Sequence, residues 1–265
     1  MLRRLAATSV ALLLAALTGC SLSNADSGGG GETSIAAPKL GSCRVLTTDD
    51  ISQSSNSSPV VDCREEHTAE TFAVGSFPTG LTLNAELDDP ALGKYVYRTC
   101  TKQFQSFLGG DESLVMRSLL SWAWFRPTEE QWDRGARWYR CDAIGGSEDS
   151  DELRTLPRTA KGLLLGRPDD TWMTCIDAET VAGSEKIPCS ESHSWRAVTT
   201  IKLGDEDAEY PGDDVVEAQT RDFCSDSVGA WLNYPVDFDF GYTYFHEAEW
   251  EAGNRRSICW AKTDQ

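Results

Sequence analysis

The chain has 265 residues and a mass of 29.1 kDa, enough for one large domain or two of about 100 to 130 residues each. Its 42 Asp and Glu against 24 Lys and Arg give a formal charge of −18, which argues against nucleic-acid binding, because that needs a basic surface to neutralise phosphates. With 40% apolar residues and nine Trp the chain can bury a core, so wholesale disorder is excluded as well.

Residues 1–19 open with Arg3 and Arg4, continue through an apolar run from Leu5 to Leu17, and end in small residues before Cys20. That pattern predicts a signal peptide, since the run is too short to span a bilayer comfortably. The ending Leu17-Thr-Gly-Cys20 resembles a bacterial lipobox, which implies a chain cut before Cys20 and lipidated on its thiol. The alternative is an ordinary secretory peptide with Cys20 as a stray thiol. Either way the protein is expected to be exported, and with the lipid it stays anchored at the extracytoplasmic face of the cell membrane. Residues 20–40, rich in Ser, Gly and Ala, read as a flexible tether that holds the folded part on the order of 25 Å from the anchor.

Beyond the tether, Val60-Val61 and Thr71-Phe-Ala-Val74 are β-prone runs bounded by turn residues and read as strands. From Asp89-Pro90, a helix-start signal, the apolar residues fall near a 3.6 period up to Leu108, before Gly109-Gly110, which predicts an amphipathic helix. Leu119–Phe125 reads as a strand leading into a turn that carries Trp132. The Gly and acid stretch from Gly145 to Glu152 marks a boundary, with 146–170 read as a linker. In the second half Ala197–Ile201 and Phe238–Phe245 read as strands, the latter on its alternating aromatics, and Asp213–Leu232 as a helix.

Setting Cys20 aside leaves Cys43, Cys63, Cys100, Cys141, Cys175, Cys189, Cys224 and Cys259. An even number in an exported chain without any Cys-x-x-Cys predicts disulfides rather than metal ligands. The eight form two sets of four in matching surroundings. Cys63-Arg-Glu-Glu-His67 aligns with Cys189-Ser-Glu-Ser-His193, the two helical cysteines align, and Trp132-Asp-Arg-Gly135 aligns with Trp250-Glu-Ala-Gly253. The chain is thus expected to be a tandem duplication of 41–145 and 171–265, each copy a short antiparallel sheet with one packed helix, an α+β fold stapled by disulfides. Pairing within repeats and alike in both leaves three schemes, of which Cys43–Cys63, Cys100–Cys141, Cys175–Cys189 and Cys224–Cys259 is favoured. Acidity is uneven: 41–145 holds 10 basic and 15 acidic residues, 171–265 holds 7 and 19.

Catalytic motifs are sparse. A disulfide-bonded cysteine is no nucleophile, and His246-Glu247 lacks the second His of a zinc protease, position 250 being Trp. The acidic run 205–214 lacks the Gly and Glu of a calcium loop and reads as solvated. No cofactor is implied. The repeated Cys-x-Glu-x-His remains: on a strand, period-two geometry would put Glu65 with His67, and Glu191 with His193, on one face as an acid–base pair. Against this, the imidazole serves as a hydrogen-bonded pin for the loop beside the disulfide. Trp132 and Trp250 read as core or turn residues, with a groove of exposed Trp as the alternative.

Taken together, the lipobox and tether, the Cys-x-x-x-His blocks, the helix cysteines and the terminal Trp-x-x-Gly…Cys blocks resemble the septum formation family of actinobacterial envelope proteins. The likeness covers 41–145 and 171–265 and implies a link to septation or envelope biogenesis, without supplying catalytic residues. In that family a Glu follows the His by three positions, which Glu70 matches and Arg196 does not. The expected function is a non-enzymatic binding or scaffold module whose partner is an envelope or division protein with a basic surface. The alternatives are a sensor of small ligands or glycans, and a hydrolase using Glu and His.

Overall fold

The computed structural model describes residues 35–147, 150–205 and 207–263; the expected signal peptide, Cys20 and the tether before residue 35 lie outside the described residues. The first half contains β1 (Cys43–Arg44), α1 (Thr48–Ile51), β2 (Ala69–Ser76), α2 (Thr79–Thr82), α3 (Pro90–Leu108), α4 (Glu112–Met116), β3 (Leu120–Phe125), α5 (Glu129–Asp133) and β4 (Trp138–Gly145). After a single 3₁₀ turn come β5 (Thr174–Ile176), β6 (Ile187–Pro188), β7 (Trp195–Lys202), α6 (Asp213–Trp231), β8 (Phe240–Thr243), α7 (Glu247–Ala252) and β9 (Arg256–Lys262).

The two long helices begin and end where their sequences direct. Asp89 accepts from the Ala91 amide and Pro90 occupies the first turn of α3, while Gly109 closes it at φ +77°, a conformation that costs glycine little. Leu92, Val96, Cys100, Phe104 and Leu108 recur every four residues and are all buried. In α6 the same spacing buries Val216, Thr220, Cys224 and Val228.

Each helix lies on an antiparallel sheet. The strand orders are β1-β2-β4-β3 and β6-β5-β7-β9-β8, so that apart from β6 the two sheets have the same topology. The likeness extends to irregularities: the register slips between Thr71 and Ala73 against β4, and between Ala197 and Thr199 against β9. All four disulfides follow the favoured pairing, joining Cys43 to Cys63, Cys100 to Cys141, Cys175 to Cys189 and Cys224 to Cys259. The fold is α+β, with two disulfide-stapled repeats in one compact unit spanning 33–265.

Three expectations change. Val60-Val61 does not form a strand; Val61 makes one bridge to Cys43. Cys63–His67 and Cys189–His193 are turns and bends rather than strands, the first held by the Asp62 side chain accepting from the Arg64 amide in the local competition that Asp offers extended backbone. Third, the segment read as a linker is a strap packed on the first half. Leu156, Ala160 and Leu164 are buried in its core, the Leu156 amide donates to the His67 carbonyl, and Arg154 bridges Gly145.

Glu70 explains how the strap is held. It is buried, and its carboxylate accepts from the Ala160 amide at 2.7 Å and from the Thr159 hydroxyl at 2.9 Å. Its counterpart Arg196 pairs instead with Asp170. Glu70→Ala leaves a buried amide unsatisfied and is expected to cost about 1–3 kcal/mol. Limited proteolysis should then cut first between 154 and 164, and cleavage unchanged from the parent would refute the role.

Across the halves, Glu112 of α4 meets Arg256 at 2.7 Å and Lys202 at 3.7 Å, and Leu114 packs on Met173, Cys175 and Cys189.

Candidate functional site

The two Cys-x-Glu-x-His turns have the same geometry. His67 and His193 point inward and are nearly fully buried, while Glu65 and Glu191 are exposed. Each imidazole closes its own turn: His67 Nδ1 lies 2.8 Å from the Glu65 carbonyl and His193 Nδ1 lies 2.7 Å from that of Glu191. A carbonyl only accepts, so Nδ1 carries the proton in both. Nε2 of each ring is buried without a hydrogen-bond partner among the described residues. The carboxylate and the imidazole are therefore not brought together as an acid–base pair, because a turn, unlike a strand, sends them in different directions.

The Trp blocks are structural in the same repeated way. Trp132 and Trp250 sit on the short helices α5 and α7, both buried. The Arg137 guanidinium lies 3.9 Å over the Trp132 ring and that of Arg255 3.5 Å over Trp250, each also donating to the Trp carbonyl. Gly135 and Gly253 take φ of +97° and +108° just after these helices, which is why a glycine follows each Trp by three residues. Cation–π contact and the turn account for the motif without a ligand.

What faces solvent is different in the two halves. Between residues 78 and 135 there are 8 acidic and 6 basic residues, whereas 204–253 holds 14 acidic residues and a single basic one, Arg221. In that acidic stretch β8 and the segments on either side of it carry a row of rings on the helix-facing side. Successive centroids from Phe238 through Phe240, Tyr242 and Tyr244 to His246 lie 6.2, 6.5, 6.4 and 4.9 Å apart. The period of two that made Phe238–Phe245 read as a strand also built this row. The rings before His246 are half-buried against α6, and His246 is exposed. The Tyr242 hydroxyl donates to Glu217 at 3.0 Å.

Where α6 begins, Tyr210–Val215 and His246–Ala248 enclose an open cavity of about 710 Å³. Tyr210 donates to the Asp213 carboxylate, which also lies 3.2 Å from His246 Nδ1. Those two hydrogen bonds, that from Tyr210 first, hold the Asp213 carboxyl below its ordinary value. Lost solvent, then the bond to Asp213, pushes the Tyr210 phenol up to about 12. Tyr210→Phe should therefore raise the Asp213 titration midpoint, read by carboxyl NMR; an unmoved midpoint would show that the phenol does not hold this carboxylate. Because the folded value is depressed, whatever stability Asp213 contributes is present above about 3.8 and fades as pH falls through the lower folded value.

A second cleft, about 480 Å³, lies beside β3 and is lined by residues 51–54, Tyr97 and Ser121–Trp124. Among the described residues no three His, Cys, Asp or Glu side chains converge as a metal site, and no helix is long and apolar enough to cross a membrane. The meeting of acids with this row was missed in sequence because Asp213 and Glu217 lie on α6, far before the rings in the chain, and only folding sets them beside His246 and Tyr242.

A family model described as septum formation matches residues 40–259 in one stretch that takes in both halves. No curated protein and no solved structure matches the chain.

Proposed function

The chain belongs to the septum formation family, and from that premise we propose that it is a non-enzymatic binding module, anchored through a lipid on Cys20 at the extracytoplasmic face of the membrane. There it engages an envelope or division protein that offers a basic surface. The observation that carries this reading is the division of labour among its polar groups. The histidines of the repeated motif are spent on closing turns, while the surface left open in the second half is acidic and aromatic. The matched topology, bulges and disulfides support a duplication in which one unit supplies both halves and the copies differ at their surfaces.

Proximity cross-linking in dividing cells, with the lipidated protein as bait, tests the function. Division or wall-synthesis proteins should be enriched over a tethered control of equal charge, and their capture should weaken with added salt. Enrichment no greater than the control would overturn the reading. The cleft beside β3, where Tyr97 and Trp122 stand among serines, favours a second reading as a glycan or small-ligand sensor. Stabilisation by wall fragments in a thermal shift assay, abolished in Trp124→Ala, would support it.

A further inference from the structure

We propose that the outer side of β8 is a docking edge for an extended, basic segment of a partner protein, which adds as a further strand and lays Lys or Arg side chains along Phe240, Tyr242 and Tyr244. This names the partner chemistry for the binding function proposed above and rests on that reading.

The backbone makes the first argument. β8 is the last strand of its sheet, paired only with β9, and among the described residues no other backbone group bonds to Phe240–Thr243. The equivalent strand of the first half is bracketed at both ends, where the Leu119 amide donates to Trp172 and the Arg126 amide to Ser54. Open edges are usually blunted by shortness, charge, proline or a bulge; β8 is short, at four residues, and Asp239 precedes it, but the strand itself has none of the other devices. The β8 sequence Phe-Gly-Tyr-Thr has no charge or proline, and its pairing to β9 runs without a slip. An unprotected edge presents a template for strand addition, with side-chain pockets setting specificity.

Side chains supply the second argument. An added strand places every second side chain on the α6 side, in step with the ring row whose centroids are about 6.4 Å apart. Alkyl stems of Lys or Arg would lie against the rings, with cation–π attraction at their faces. Glu217, already bonded to Tyr242 in the middle of that row, and Asp213, beside His246 at its end, stand ready to receive the charged heads. Before the row, Tyr234 and Val236 are 76% and 98% exposed, and Tyr234 is held at φ +55°. A bulky residue adopts this left-handed conformation only at a cost. It extends the apolar surface next to β8.

Charge selects among occupants. Between 204 and 253 there are 14 acidic residues and one basic, Arg221, whose charge reaches Tyr242, and Lys262 of β9 pairs with Asp239 beside β8. The surplus is still negative, so a second copy of this edge, a nucleic acid or an anionic lipid surface would be repelled, and a basic segment attracted.

The test uses the folded full chain and a ten-residue peptide of alternating Lys and Val, with amide shift mapping and fluorescence anisotropy. The expected result is shifts centred on 240–243 and on the Tyr242 and Tyr244 rings, with affinity falling as salt rises. Methylating alternate peptide amides removes strand hydrogen bonds without touching the protein and should weaken binding about tenfold or more. Binding indifferent to methylation, shifts centred on the 205–214 loop, or no binding would each overturn the proposal. So would a wall oligosaccharide that moves the same rings when the peptide does not. Capture of division proteins in cells that survives a failed peptide test would locate the partner elsewhere on the module, whereas lost capture refutes the function itself.

Discussion

Asp142→Ala is expected to destabilise the folded chain by about 3–5 kcal/mol, the loss typical when one member of a buried charge network is removed. Asp142 on β4 is fully buried, 3.0 Å from Arg140 Nε. Thr71 donates to it at 2.7 Å, and Arg44 donates to the Thr71 hydroxyl at 2.9 Å. Burial pushes the Asp142 carboxyl up and holds Arg140 down to about 10, so each charge is disfavoured alone and retained by its neighbours. Removing the carboxylate leaves two guanidinium groups in the core of the sheet. The second half shows that this fold does not require the network: by strand register, Arg44, Arg140 and Asp142 correspond to Ile176, Ile258 and Trp260, which pack as an apolar cluster. Replacing the trio together, as Arg44→Ile, Arg140→Ile and Asp142→Leu, should accordingly cost far less than Asp142→Ala alone. Urea denaturation of both variants decides this; equal losses would mean that the charges specify something beyond their own compensation.

The disulfides give the second large effect. Cys100–Cys141 and Cys224–Cys259 tie each long helix to the strand next to the edge of its sheet, β4 or β9, at sequence separations of 41 and 35. Cys43–Cys63 and Cys175–Cys189 span 20 and 14. If restriction of the unfolded chain is the main term, replacing both cysteines should cost about 4 kcal/mol for each helix bridge and about 3 kcal/mol for each loop bridge. Losses of this size are a large share of ordinary domain stability. A steeper loss from the shorter bridges would transfer the main effect to the turn geometry they hold around His67 and His193. Loss of the Cys224–Cys259 bridge should also loosen α6 from β8, and with it the ring row, before the first half is affected.

These two predictions bear on why one scaffold occurs twice with different interiors and surfaces. The helix, the slipped central pair, the pinned turn and the Arg-covered Trp recur in both halves. The first half adds a charge network and a strap held by Glu70. The second has neither at the matching positions, and it carries the acidic, open edge instead. A recurring scaffold whose straps and edges differ between copies is compatible with the binding role proposed above.

Local signals in the sequence determined the long helices and the repeated layout, and narrowed the disulfide partners to three schemes. The four-residue stripe from Leu92 to Leu108 and the Asp89-Pro90 start are properties of consecutive residues, and the duplicated cysteine pattern reduced the pairings to a few. Tertiary structure alone decided that His67 turns inward while Glu65 faces water, since a two-residue spacing has that outcome in this turn and the opposite one in a strand. It also decided that 150–170 is a packed strap, because Leu156, Ala160 and Leu164 bury themselves from irregular backbone with no period to read. The same holds for Arg44, Thr71, Arg140 and Asp142, which come from three strands, and for β8, whose open edge follows from its place at the end of the sheet. Those features depend on which distant segments meet, and such meetings are set by the packing of the whole chain rather than by any window of it.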